Sequence, residues 1–249
     1  TPAEVTAALV TSATKVVMGA ASTATISAAT DAATGAAIAT TSNVTATFSA
    51  GIVDSLANLA SGGAATANLT SISTDQPAVV LTINNAGGGT MAAADLSAVG
   101  NASTGTVTVT NAQTVNGTAD EVIAAVVTTA SKVNLNTGST INASTYNTQD
   151  LSGVDAAFTL NVTTINGAVL DATKLATADS VTLVGTNTAT GAHADTLGSR
   201  LGGTATLNIT TDPITANTDL SDLGTGLSLQ FGGDTTAVVT GATLTVRQD

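Results

Sequence analysis

The chain has 249 residues, with 17 Asp and Glu against 5 Lys and Arg, a formal net charge of −12, and no Cys or Trp. That charge opposes any stable grip on phosphate backbones or anionic lipid, and the missing Cys removes cysteine-protease chemistry. Hydrophobic residues make up 43%, charged residues 9% and aromatics 2%, so the chain is expected to fold, packing small side chains in thin layers.

Thr1-Pro2-Ala3-Glu4 carries neither an initiator Met nor the basic start of a signal peptide, and no apolar run is long enough to span a membrane. The chain therefore reads as an excised or processed part of a longer one, with no transmembrane segment. Residues 1–80 are expected to form the less regular coils of a single domain. Val16-Val17-Met18, Thr45-Ala46-Thr47-Phe48 and Ala67-Asn68-Leu69-Thr70 are its candidate strands.

Regular repeats are expected over 81–249. Leu81-Thr82-Ile83-Asn84 stands 26 residues before Val107-Thr108-Val109-Thr110. Val133-Asn134-Leu135-Asn136, Phe158-Thr159-Leu160-Asn161, Val181-Thr182-Leu183-Val184, Ala205-Thr206-Leu207-Asn208 and Leu227-Ser228-Leu229-Gln230 follow at intervals of 26, 25, 23, 24 and 22 residues. Each alternates apolar and mostly polar positions, as a strand with one buried face does. A fixed period of this length marks a repeat architecture. The fold class this predicts is β-rich, a parallel β-solenoid or β-helix with short helical segments between strands and coils of about 22–26 residues.

The helical segments are expected where Asp precedes apolar residues spaced by three: Asp95-Leu96 with Val99, Asp150-Leu151 with Val154, and Asp219-Leu220 with Leu223. Asp54 with Leu56 and Leu59, and Asp195 with Leu197 and Leu201, are looser versions, and Ala119 to Thr128 reads as a longer helix. Gly87-Gly88-Gly89 reads as a loop.

Chemistry is sparse. His193 is the only histidine, so a Ser-His-Asp triad or a histidine metal site has one possible centre, and Gly191 to Asp195 reads as a solvated loop. Glu4 and Glu121 are the only glutamates, which leaves little for paired-carboxylate hydrolysis. No enzyme activity and no catalytic residue is expected. Hard cations favour carboxylates and carbonyls, which makes Asp75, Asp212 and Asp234 the candidate calcium ligands. The Gly-Gly-x-Gly-x-Asp nonapeptide of calcium-binding β-rolls is absent, with Phe231-Gly232-Gly233-Asp234 and Leu201-Gly202-Gly203 only fragments of it. Seven Asn-x-Ser/Thr sequons, at Asn43, Asn68, Asn101, Asn116, Asn142, Asn161 and Asn208, are what so Thr- and Asn-rich a composition produces by chance.

The wording Asp150-Leu151-x-x-Val154 followed by Phe158-Thr159-Leu160-Asn161, with Val107-Thr108-Val109-Thr110 as a sister strand, resembles the Ala/Thr/Gly-rich repeats of bacterial surface-layer proteins and of giant secreted surface proteins related to RTX exoproteins. The resemblance implies export to the cell surface and assembly with calcium. The expected function is a structural, self-assembling module of an S-layer, sheath or extracellular filament, with itself and cell-surface polysaccharide as partners and no nucleic acid. The alternatives are an adhesin stalk, an ice- or surface-binding module displaying Thr108, Thr159, Thr182 and Thr206, and a phage fibre segment.

Overall fold

The computed structural model describes residues 1–13, 15–129, 133–211, 214–232, 239, 241 and 243–246. They fall into two compact units, Thr1–Val115 with Ala124–Ser139, and Asn116–Ile123 with Thr140–Asp249.

In the first unit, Thr1 opens helix Pro2–Leu9 with a capping box, its hydroxyl accepting from Glu4 N–H. Strand Ser22–Ile26 then pairs in parallel with Val44–Phe48, the chain crossing over through helix Ala32–Ala39, which Asp31 caps. That helix buries Ala32, Gly35, Ala36 and Ile38 and packs on helix Ala67–Asp75, which buries Leu69 and Ile72. A Cβ on Gly35 would stand 3.0 Å from both Ile52 Cδ1 and Ile72 Cδ1, so glycine sets how closely the two helices approach. In the chain between the two helices, Ala60–Ser61 and Ala64–Ala65 form a hairpin turned by Gly62 and Gly63, at φ of 62° and 77°.

Beneath these helices a four-stranded parallel sheet runs in the order Val133–Asn134, Val107–Val109, Leu81–Ile83, Ile52–Asp54. Its inward residues Ile52, Leu81, Ile83, Val107, Val109 and Val133 are buried. Helix Ala93–Ala102 adds Leu96 and Val99 to the same core.

In the second unit, strands Leu201–Gly202, Ser180–Thr182, Thr159–Thr164 and Thr140–Tyr146 stand in that order within a six-stranded sheet, all parallel. Thr145, at φ 55°, marks a bulge that shifts the register from Ala143 opposite Val162 to Tyr146 opposite Thr164. A second parallel sheet runs Val169–Leu170, Thr186–Ala189, Thr206–Ile209, Ser228–Phe231. Ile141, Leu160, Val162 and Val181 from one sheet and Leu170, Ala189, Leu207 and Ile209 from the other are buried.

The fold class expected from the repeat is corrected. Among the described residues the chain is mixed α/β, with seven α-helices and six separate sheets, one of six strands, two of four and three of two. A single β-solenoid ladder of 22–26-residue coils is not what forms. The expected column mixes strands of different sheets: Val107 and Val133 belong to one, Leu160 and Val181 to another, Leu207 and Leu229 to a third. Two physical features explain the error. Each interval contains a further alternating strand, such as Thr114–Thr118 or Thr186–Ala189, that competes for partners. A period of two also leaves the register free to slide by even steps. Val181 pairs with Val162 rather than Phe158, and its other neighbour is Leu201 rather than Ala205.

Three local expectations are corrected with it. Ala67–Thr70 is helical, because Leu69 and Ile72 share a helix face and Thr66 caps it. Val16-Val17-Met18 is irregular. Asp150 opens a tight turn instead of a helix and Asp219 lies in strand Thr218–Leu220, its carboxylate bonding the turn that follows, whereas Asp95 does lie in the first turn of a helix.

Candidate functional site

Five aspartates hold one part of the fold to another. Asp54 accepts from Ala32 N–H at 2.9 Å, Asp95 from Gly63 N–H at 2.6 Å, Asp179 from Leu160 N–H at 2.7 Å and Asp195 from Asp219 N–H at 3.1 Å. Asp75 belongs to this set. It ends helix Ala67–Asp75, and its carboxylate accepts from Ala46 N–H while Gln76 Oε1 accepts from Phe48 N–H at 2.6 Å, so together they occupy the open edge of strand Val44–Phe48. Asp212 and Asp234 lie outside the described residues. Among the described residues, no three or more His, Asp or Glu side chains gather where they could hold a metal ion.

Asp150, Asp171 and Asp219 share another geometry. Each Oδ1 accepts from the backbone N–H two residues on, at 2.9 to 3.0 Å, and from the hydroxyl of that same residue, Ser152, Thr173 or Ser221, at 2.6 Å. Those hydroxyls, helped by the N–H groups, hold the three carboxyls below the ordinary aspartate range. Asp171 was not singled out in the sequence, although Asp171-Ala172-Thr173 has the same Asp-x-Ser/Thr spacing.

His193 sits half-buried on helix Gly191–Leu197 rather than in a loop. Its Nδ1 donates to the Leu170 carbonyl at 3.2 Å, and Nε2 lies 3.7 Å from Asp171 Oδ1. Beneath, Tyr146 is fully buried and its hydroxyl has no hydrogen-bond partner among the described residues. Burial, reinforced by the Asp171 and Asp150 carboxylates, pushes its phenol up to about 12. Arg200 is likewise engaged by the fold, its guanidinium donating to the carbonyls of Leu175, Ala176, Ala178, Thr196 and Leu197 at 3.1 to 3.3 Å.

A cleft of about 560 Å³ opens between helix Pro2–Leu9 and the start of helix Ala32–Ala39, lined by Thr6, Thr30, Asp31, Thr34 and Val53 among others. Asp31 there is occupied, both oxygens accepting from Thr34, whose backbone N–H does most to lower its pKa.

The arrangement the sequence reading missed is a side-chain ladder on the six-stranded sheet. Asn142 Nδ2 donates to Asn116 Oδ1 at 2.8 Å, Asn161 Nδ2 to Asn142 Oδ1 at 3.0 Å, and Ser180 Oγ to Asn161 Oδ1 at 2.8 Å. The signal lay in the sequons. In a strand, Asn and the Ser or Thr two residues on point to the same face, so Asn142 with Ser144 and Asn161 with Thr163 announce an outward polar surface. The expected single rank of Thr108, Thr159, Thr182 and Thr206 is divided among three sheets.

Compared with models of known protein families, with curated proteins and with solved structures, the chain matches none. No helix among the described residues is long and apolar enough to cross a membrane.

Proposed function

We propose that the chain is a structural cell-surface protein, an extracellular module that assembles with copies of itself into a layer, sheath or filament. The observation that carries this reading is where its few reactive groups go. Asp54, Asp75, Asp95, Asp179 and Asp195 accept backbone N–H groups 19 to 32 residues away, and Arg200 gathers five carbonyls. Such side chains act as staples between neighbouring strands and turns. Calcium enters this reading as an ion that screens the charge of −12 on each copy, and cell-surface polysaccharide as the anchoring partner. Electron microscopy of the purified chain with calcium and with a chelator tests it: ordered sheets or filaments are expected with calcium, and dispersed particles at every concentration in both conditions would overturn it.

One observation favours the ice- or surface-binding alternative. Thr23 and Thr25 lie in register beside Thr45 and Thr47, all four exposed, giving two Thr ranks across one strand pair. A thermal-hysteresis measurement decides this reading, and growth of unshaped ice crystals removes it.

A further inference from the structure

The second unit carries an uncharged face within an acidic chain. Strands Thr140–Tyr146, Thr159–Thr164, Ser180–Thr182 and Leu201–Gly202 contain no charged residue, while Asp150, Asp155, Asp171 and Asp179 all fall in the turns beside them. Along each strand the buried Ile141, Leu160, Val162 and Val181 alternate with exposed or half-exposed polar residues. The register is parallel and matched: Thr140 opposite Thr159, Asn142 opposite Asn161 opposite Ser180, Thr163 opposite Thr182.

We propose that this outward face, carried by Thr140, Asn142, Thr159, Asn161, Thr163 and Thr182, is the surface through which one copy of the chain packs on the same face of a second copy. The step rests on the self-assembly reading and names the contact that forms its dimeric unit.

Charge favours an uncharged face, a property that strands Thr186–Ala189, Thr206–Ile209 and Ser228–Phe231 share. Two copies each at −12 repel wherever carboxylates oppose one another, and at physiological salt that repulsion acts over about 8 Å. A contact through a face without carboxylates keeps them apart. Hydration selects this one. A polar surface resists burial when its donors and acceptors lose water without replacement. Here the Asn142, Asn161 and Ser180 side chains already bond along the ladder, and Ser144 Oγ donates to the Gly117 carbonyl at 2.9 Å. The threonines add a methyl group to each hydroxyl, and strands about 4.8 Å apart present them as a regular corrugation that a second such surface can interlock with. A face that meets itself gives a two-fold, closed contact, so a lattice needs a further contact elsewhere on the molecule.

Sedimentation across a concentration series tests the proposal with three proteins: the unmodified chain, Thr163→Asp with Thr182→Asp on the face, and Ala156→Asp with Ala176→Asp adding the same charge in exposed turns. The unmodified chain is expected to dimerise. The face pair should raise the half-association concentration by at least about tenfold, and the turn pair by less than about threefold. Association of the face pair like that of the unmodified chain overturns the face and leaves self-assembly standing. A monomer at every concentration overturns both. Should the face pair fail to fold, Thr163→Cys supplies the only thiol of the chain. Its labelling by a maleimide should slow at least about tenfold on association, and an unchanged rate overturns the proposal.

Discussion

Tyr146 offers the clearest single-residue test, because it is the only tyrosine and the chain has no Trp. Its phenol is expected to titrate near 12 in the folded protein, which its ultraviolet absorbance reads directly; a midpoint at the ordinary value of about 10 would mean that the ring is solvated. Since the folded value is the higher one, the stabilisation is complete below the unfolded value and is lost as pH rises from about 10 through about 12. Asp150, Asp171 and Asp219 run the other way. Their folded values lie below the unfolded one, so what they contribute is present above about pH 4 and disappears as pH falls further. Replacing Ser152, Thr173 and Ser221 by Ala should flatten the acid side of the stability profile, and an unchanged profile would count against these turns. Arg200→Ala removes the guanidinium donor that the Leu175, Ala176 and Ala178 carbonyls share. A loss of about 2–4 kcal/mol in denaturant unfolding is expected, more than a surface arginine gives.

At the scale of elements, the Asn ladder and the close approaches of backbone set what can change. Asn142→Ala removes the middle rung, leaving Asn116 Oδ1 and Asn161 Nδ2 without each other's relay, and should cost about 1–2 kcal/mol; Asn142→Ser should recover part of it. Gly105→Ala is expected to be worse, since a β-carbon there meets the Val79 and Ala78 carbonyls. A melting temperature within a degree of the unmodified protein would contradict the latter.

The strands were legible where alternation and spacing agreed. Leu81, Val107 and Val133 do stack at 26-residue steps, and Leu207 does face Leu229. They were illegible where a short pattern fitted two frames, as at Phe158–Asn161, or where a helix reused the same residues, as at Ala67–Asp75. The candidate ligands fared differently: the role of Asp75 depends on a strand edge 29 residues earlier in the chain, which no local motif encodes. The Asn ladder is legible in the sequons only once the period of two places Asn142 with Ser144 and Asn161 with Thr163 on one strand face.

For the whole molecule, low charge density on the sheets and acid in the turns make ionic strength a lever. Raising salt from 0.01 M to 0.15 M shortens screening from about 30 Å to about 8 Å, so association is expected to strengthen. Weakening with salt, followed by light scattering, would show that ion pairs hold the copies together. One further consequence comes from the parallel pairings, whose partners lie only 18 residues apart at Tyr146 with Thr164 and 29 at Ile52 with Leu81. Such separations in a chain of 249 residues correspond to a relative contact order of about 0.1, in the range of fast-folding helical proteins rather than of β-sandwiches. Each strand finds its neighbour soon after both have left the ribosome, so the sheets can zip up one strand at a time while the rest of the chain is still being made.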